Sequence, residues 1–154
     1  MIRYVLAAVL ALALLAAAVP ALEYGAAMNT ERTLDAGVEE LDRAATSLVS
    51  NDDPTPDTHP DPRRVVTVSL PERSLTTAGV DHFEVVPHED GDFSAARYVL
   101  KDGTTRTATI DERIVWLEPT EREPIELDGS GKRELVLTLE TDANDEPIVV
   151  AQRA

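Results

Sequence analysis

The nearest approach to a chemical constellation is His82 and His88 set among Asp81, Glu84, Glu89, Asp90 and Asp92. Imidazole and carboxylate together suit a divalent cation, yet no HxxxH or HExxH spacing joins them. Two histidines without a third fixed ligand make a poor zinc set. The stretch His88-Glu89-Asp90-Gly91-Asp92 offers calcium-type oxygens but lacks the ordered positions and closing Glu of an EF-hand loop, so a solvated turn is expected. His59 stands in a Pro/Asp-rich stretch and is expected to be inert. Ser47, Ser50, Ser69, Ser74, Ser94 and Ser130 show neither a nucleophile elbow nor a Ser-x-x-Lys pair. Gly129-Ser130-Gly131 lacks the following helix and the Lys-Ser/Thr context of a phosphate loop. Carboxylate pairs occur throughout, so no single pair marks glycosidase-type chemistry. Trp116 could stack on a sugar, but between Val115 and Leu117 it reads as core. The expectation is a protein that is not an enzyme, with no catalytic residues, no cofactor and no metal.

The elements that would position these groups begin with an apolar run. Tyr4 to Leu22 is almost unbroken, and no acid precedes Glu23. Roughly 20 apolar residues at 1.5 Å each match a bilayer core of about 30 Å. Only Arg3 and the amino terminus are positive ahead of the run, and the chain behind it is strongly acidic. The positive-inside bias then predicts a cytoplasmic amino terminus and an extracellular remainder, a single-pass protein of the cell membrane. Val19-Pro20-Ala21 also carries small residues where a signal peptidase would read them; the length of the run favours a retained anchor.

The net charge is −15, from 29 acidic residues against 14 basic ones, of which only Lys101 and Lys132 are lysines. That charge repels nucleic acid and anionic lipid at long range. Abundant Asp and Glu with scarce Lys predicts a halophilic protein, in which high salt screens the self-repulsion. There is no cysteine, hence no disulfide framework, thiolate site or lipid-anchored cysteine.

Four segments follow in order. Residues 1–22 are the transmembrane anchor. Residues 23–49 are an amphipathic helical stalk, with Leu34, Val38, Leu41, Ala45 and Leu48 spaced by four, three, four and three. Residues 50–62 carry four prolines and four aspartates and read as an extended linker. Residues 63–154 turn to a period of two. Strands are expected at Val65–Leu70, Val80–Val86, Arg97–Lys101, Thr105–Ile110, Ile114–Leu117, Glu134–Glu140 and Ile148–Ala151, with Asp102-Gly103 as a hairpin turn. The fold class is therefore α+β: a long N-terminal helix, then a small antiparallel β-sandwich or rolled sheet.

This layout resembles the type IV pilin and pseudopilin plan, in which an apolar helix anchors the subunit and a β domain faces outward. The chain lacks the small residue before the apolar run at which a prepilin peptidase cuts, and the acid that pilins carry near its start. Met1-Ile2-Arg3, Pro20-Ala21, Asp53-Pro54-Thr55-Pro56, Arg64-Val65-Val66-Thr67 and Thr76-Thr77-Ala78-Gly79-Val80-Asp81 also resemble small haloarchaeal membrane-anchored proteins that accompany pilus-type or secretion-type machinery.

The resemblance implies a structural or accessory subunit of an archaeal surface filament or secretion complex. Its partners would be membrane lipid along residues 4–22 and other proteins, met through Leu34, Val38, Leu41, Ala45 and Leu48, with no nucleic acid. The alternative is a surface-displayed binding module using loops 87–94 and 118–131, with the helix a mere tether. For a retained anchor, the native protein should stay with membranes through a carbonate wash and begin near Met1. Amino-terminal sequencing that gives Leu22 overturns the anchor.

Overall fold

A computed structural model describes residues 1–55, 60–88, 91–120 and 122–154. One helix, α1 (Ile2–Asn51), holds all of the chain's described α-helical structure. At 1.5 Å per residue it is about 75 Å long. It runs through Pro20, which has no N–H to give the Ala16 carbonyl.

Eight strands follow: β1 (Arg63–Leu70), β2 (Val80–Pro87), β3 (Ser94–Leu100), β4 (Thr105–Ile110), β5 (Ile114–Trp116), β6 (Ile125–Glu126), β7 (Gly131–Thr141) and β8 (Pro147–Arg153). They form two four-stranded sheets, ordered β1-β7-β8-β5 and β4-β3-β2-β6. The α+β class and the seven expected strands are present, and Gly103 takes the positive φ of 89° that the β3–β4 turn requires. Two details differ. The short β6 is added, and β5 pairs with β8 in parallel, Ile114 opposite Val149. A parallel pair needs a crossover of a dozen or more residues, which the chain between these strands provides.

Alternation turns one face of each strand inward. Val66, Val68, Leu70, Leu135, Leu137 and Leu139 from one sheet meet Phe83, Val85, Ala96, Tyr98 and Leu100 from the other in a single core. The Phe83 and Tyr98 rings lie parallel, with centroids 6.3 Å apart. The sheets touch where β2 meets β5, and Ser94 Oγ of β3, wholly buried, accepts a hydrogen bond from Ile114 N of β5 at 2.8 Å. At the other side α1 lies against both edge strands, β1 and β4.

The helix therefore completes the core. Leu34, Leu41, Ala45 and Leu48 are no more than 1% exposed and Val38 is 3% exposed, all within the same cluster as the sheet residues. This overturns the expected helical stalk and its partner-facing stripe: the stripe is spent on the chain's own β domain. Gly37 lets α1 approach closely, since an added Cβ would already touch Val68 Cγ1 at 3.4 Å. The Tyr98 hydroxyl donates to Asp35 Oδ1 at 2.7 Å, tying β3 to the helix surface. Burial first, then this carboxylate, pushes the phenol well above its ordinary value. The folded state thus holds that proton more tightly, and the stability it contributes is complete below the ordinary tyrosine pKa of about 10 and lost as pH rises beyond it.

The expected linker is also reassigned. Arg64 Nη2 meets Asp52 Oδ2 at 2.7 Å and Thr55 Oγ1 donates to Asp61 Oδ1 at 2.8 Å, so its two ends are held together. The segment reverses the chain and lets β1 run back along α1. Residues 56–59, including His59, lie outside the described residues. Closing a loop of this length costs little more than closing a shorter one, because the entropy grows only logarithmically. Burying Leu34, Leu41 and Leu48 at about 1.5–3 kcal/mol each readily offsets it.

Truncating the stripe should therefore unfold the β domain rather than free a helix. Leu41→Ala is expected to cost about 2–5 kcal/mol, read as a shift in the denaturation midpoint of the β-sheet signal. A helix that melts while the sheet signal stays unchanged is the contrary result.

Candidate functional site

Two regions hold the residues with functional potential: the apolar end of α1 and the outer surface of the β2-β3-β6 sheet. At the apolar end, no residue of the run is buried by the described residues. Its most apolar 18-residue window has a mean hydropathy of 2.7 and none of it is buried. Leu6, Leu10, Leu14, Leu15 and Leu22 are each more than half exposed. The first buried helix residue is Ala26, followed by Thr30 and Leu34. Thus α1 is a helix long and apolar enough to span a membrane, and it changes environment between Leu22 and Ala26.

That change of environment is marked by a groove of about 950 Å³. Val19, Pro20, Leu22 and Tyr24 of the helix line one side, and Arg73 and Leu75 of the β1–β2 loop line the other. The loop is fastened to the helix: Asn29 Nδ2 donates to Thr76 O at 3.0 Å, and Ala78 N donates to Thr30 Oγ1 at 2.9 Å. Gly79, with φ of 79°, has no room for a side chain against the Arg73 backbone. Arg106 of β4 and Glu31, which also line the groove, meet at 3.1 Å.

On the sheet surface, His82, Glu84 and Glu126 each direct one ligand atom into a cluster within 4.8 Å. His82 Nε2 lies 3.4 Å from Glu84 Oε2, a separation that two ligands of a tetrahedral Zn²⁺ at about 2.0–2.1 Å could span. The other Glu84 oxygen accepts from Arg97 Nη1 at 3.0 Å. Strand pairing explains this set, since Glu84 is flanked by Arg97 across β3 and by Glu126 across β6. The guanidinium supplies the balancing positive charge, and the cluster is accounted for as a surface ion-pair network. Sequence reading linked His82 with Glu84 by proximity but missed Glu126, because the two residues of β6 give no periodic signal.

The remaining candidates are placed as follows. His88 is apart from the cluster and stacks on Phe93, with centroids 4.4 Å apart; Glu89 and Asp90 lie outside the described residues. Loop 87–94 is thus described only in part, as is loop 118–131, where Glu121 lies outside the described residues. Trp116 is half-buried against the main core with the Arg153 guanidinium 5.9 Å from its ring centre.

Around the helix end far from the apolar run, carboxylates crowd. Asp42 Oδ1 accepts from Asp111 N at 2.7 Å. Burial, reinforced by Asp42, Asp111 and Asp92, raises the Glu112 carboxyl above its ordinary value. Asp142 is held below its ordinary value by the backbone N–H groups of Glu146 and Asn144.

Over residues 1–154 the chain belongs to the family described as Domain of unknown function (DUF7311). No curated protein and no solved structure matches the chain.

Glu112 yields a pH test with a definite sign. Its raised folded pKa means that the unfolded chain releases the proton first, so the ionised group weakens the fold at neutral pH. This penalty disappears below the ordinary carboxyl value of 4.5. Glu112→Gln should raise the melting temperature at neutral pH, and the gain should vanish on acidification through that value. A gain that persists unchanged at low pH contradicts the account.

Proposed function

We propose that the chain is a membrane-anchored, outward-facing structural or accessory subunit, of pilin-like plan, in an archaeal surface filament or secretion complex. One observation carries the reading: a single uninterrupted helix has an apolar half that no described residue buries and a second half built into the β domain's core. An apolar helix that carries a β domain at its far end is the layout that the pilin-like resemblance implies. A mere tether needs no shared core with the domain it carries, whereas a subunit whose domain must hold a set relation to its anchor does.

The buried stripe cannot serve as the partner surface. Within this reading, the uncovered helix face between Tyr4 and Leu22 meets either lipid or neighbouring helices. The positive-inside bias from Arg3, against the acidic chain behind the run, supports an extracellular β domain. The density of carboxylates, including those crowding Glu112, supports a high-salt setting in which such repulsion is screened.

The decisive experiment exchanges residues 2–22 for an unrelated membrane span. As a subunit, the exchanged chain should reach the membrane with a folded β domain, exposed to protease added outside intact cells. It should nevertheless be lost from the high-molecular-weight surface assembly that contains the natural chain. If the natural chain migrates as a lone species in native membranes, or if the exchange changes nothing, the subunit reading fails and a tethered binding module replaces it.

A further inference from the structure

We propose that the β1–β2 loop is a second membrane contact, with Leu75 set into the headgroup layer of the same bilayer that holds residues 2–22. The inference rests on the membrane reading of α1 and deepens it. Leu75 is 87% exposed, the most exposed large apolar side chain among the described residues that follow α1. Nothing local requires a leucine there. Ser74 N donates to Thr77 O at 2.9 Å and the loop is bonded to Asn29 and Thr30, so Leu75 is presented from a built turn.

Height along the helix identifies the occupant. Asn29 lies seven residues beyond Leu22, or about 10 Å along the axis. The polar layer of a bilayer is about 5–8 Å thick on each side of the hydrocarbon core. Leu75 lines the same groove as Val19, Pro20 and Leu22, which belong to the apolar run. Tyr24, 69% exposed, stands on the helix at this depth, where aromatic rings with a polar tip are favoured. A bilayer around the helix therefore meets Leu75, Tyr24 and the stem of Arg73 together.

Charge decides the lipid chemistry. Around the groove Arg73 and Arg106 face Glu23, Glu31 and Asp102, and Arg106 is already paired with Glu31. The local balance is acidic, so the contact is made by apolar insertion and does not call for anionic lipid. Neutral phosphatidylcholine suffices as the probe.

The chain has no cysteine, so single-cysteine variants report one position each. The full chain is reconstituted in phosphatidylcholine vesicles as Leu75→Cys, Val9→Cys or Asn144→Cys, each carrying an environment-sensitive fluorophore. Asn144 is on the β7–β8 turn, beside the helix end far from the anchor. Emission from positions 9 and 75 should shift to the blue and be quenched by nitroxide-bearing lipid, while position 144 does neither. Quenching at position 9 with position 75 behaving like 144 overturns the loop contact and leaves the anchor standing. Absence of quenching at position 9 overturns the anchor and the loop contact together.

Discussion

Everything in this fold depends on one seam, the contact of Leu34, Val38, Leu41, Ala45 and Leu48 with the space between two β-sheets. The sheets meet at β2 and β5 but are kept apart at β1 and β4, where the helix lies. Without the helix, the inward faces of Val66, Val68, Leu70 and Ile110 would lose much of their cover from water. A small domain has little apolar area to spare, so losing one wall of its core threatens the whole. Gly37, the Tyr98–Asp35 hydrogen bond and the Arg64–Asp52 ion pair all serve this seam, by allowing close approach, by tying the helix flank to β3 and by turning the chain back.

The same helix must satisfy two solvents. Its first half is apolar all round, which suits lipid and would be costly in water; its second half is apolar on one face only. Glu23 to Ala26 is where one pattern gives way to the other. The β1–β2 loop meets the helix just beyond this boundary, so the domain begins where the apolar run ends. Carboxylates concentrate toward the opposite end, around Asp42, Asp111 and Glu112. The apolar run and this acidic cluster thus stand toward opposite ends of the helix axis.

Much of this was legible in the residues. The apolar run, the stripe at helical spacing, seven strands and the Asp102-Gly103 turn follow from period and turn chemistry alone. What covers the stripe did not follow. Periodicity tells which face of a helix is apolar but not what it meets, and the Pro/Asp-rich segment between helix and sheet suggested separation where the chain in fact reverses. The Asp35–Tyr98 bond joins residues 63 apart, and no local pattern announces it. The surface cluster was half visible for a similar reason. His82 and Glu84 are neighbours on β2, whereas Glu126 arrives from a strand of two residues that only the pairing with Glu84 and Val85 defines.

The uninterrupted passage of α1 from its apolar half into the core has a mechanical meaning. A joint between anchor and domain would let the domain swivel and would concentrate any tension at one point. Here the load-bearing rod is itself a wall of the folded body. Tension drawn along its axis is spread over the whole seam in shear, so that Leu34 through Leu48 resist together, whereas peeling would take them one at a time. Tilt is transmitted just as directly: rotating the apolar half of the rod turns the entire β domain by the same angle. Such a part behaves as a mast, set in its footing and carrying its superstructure without a hinge.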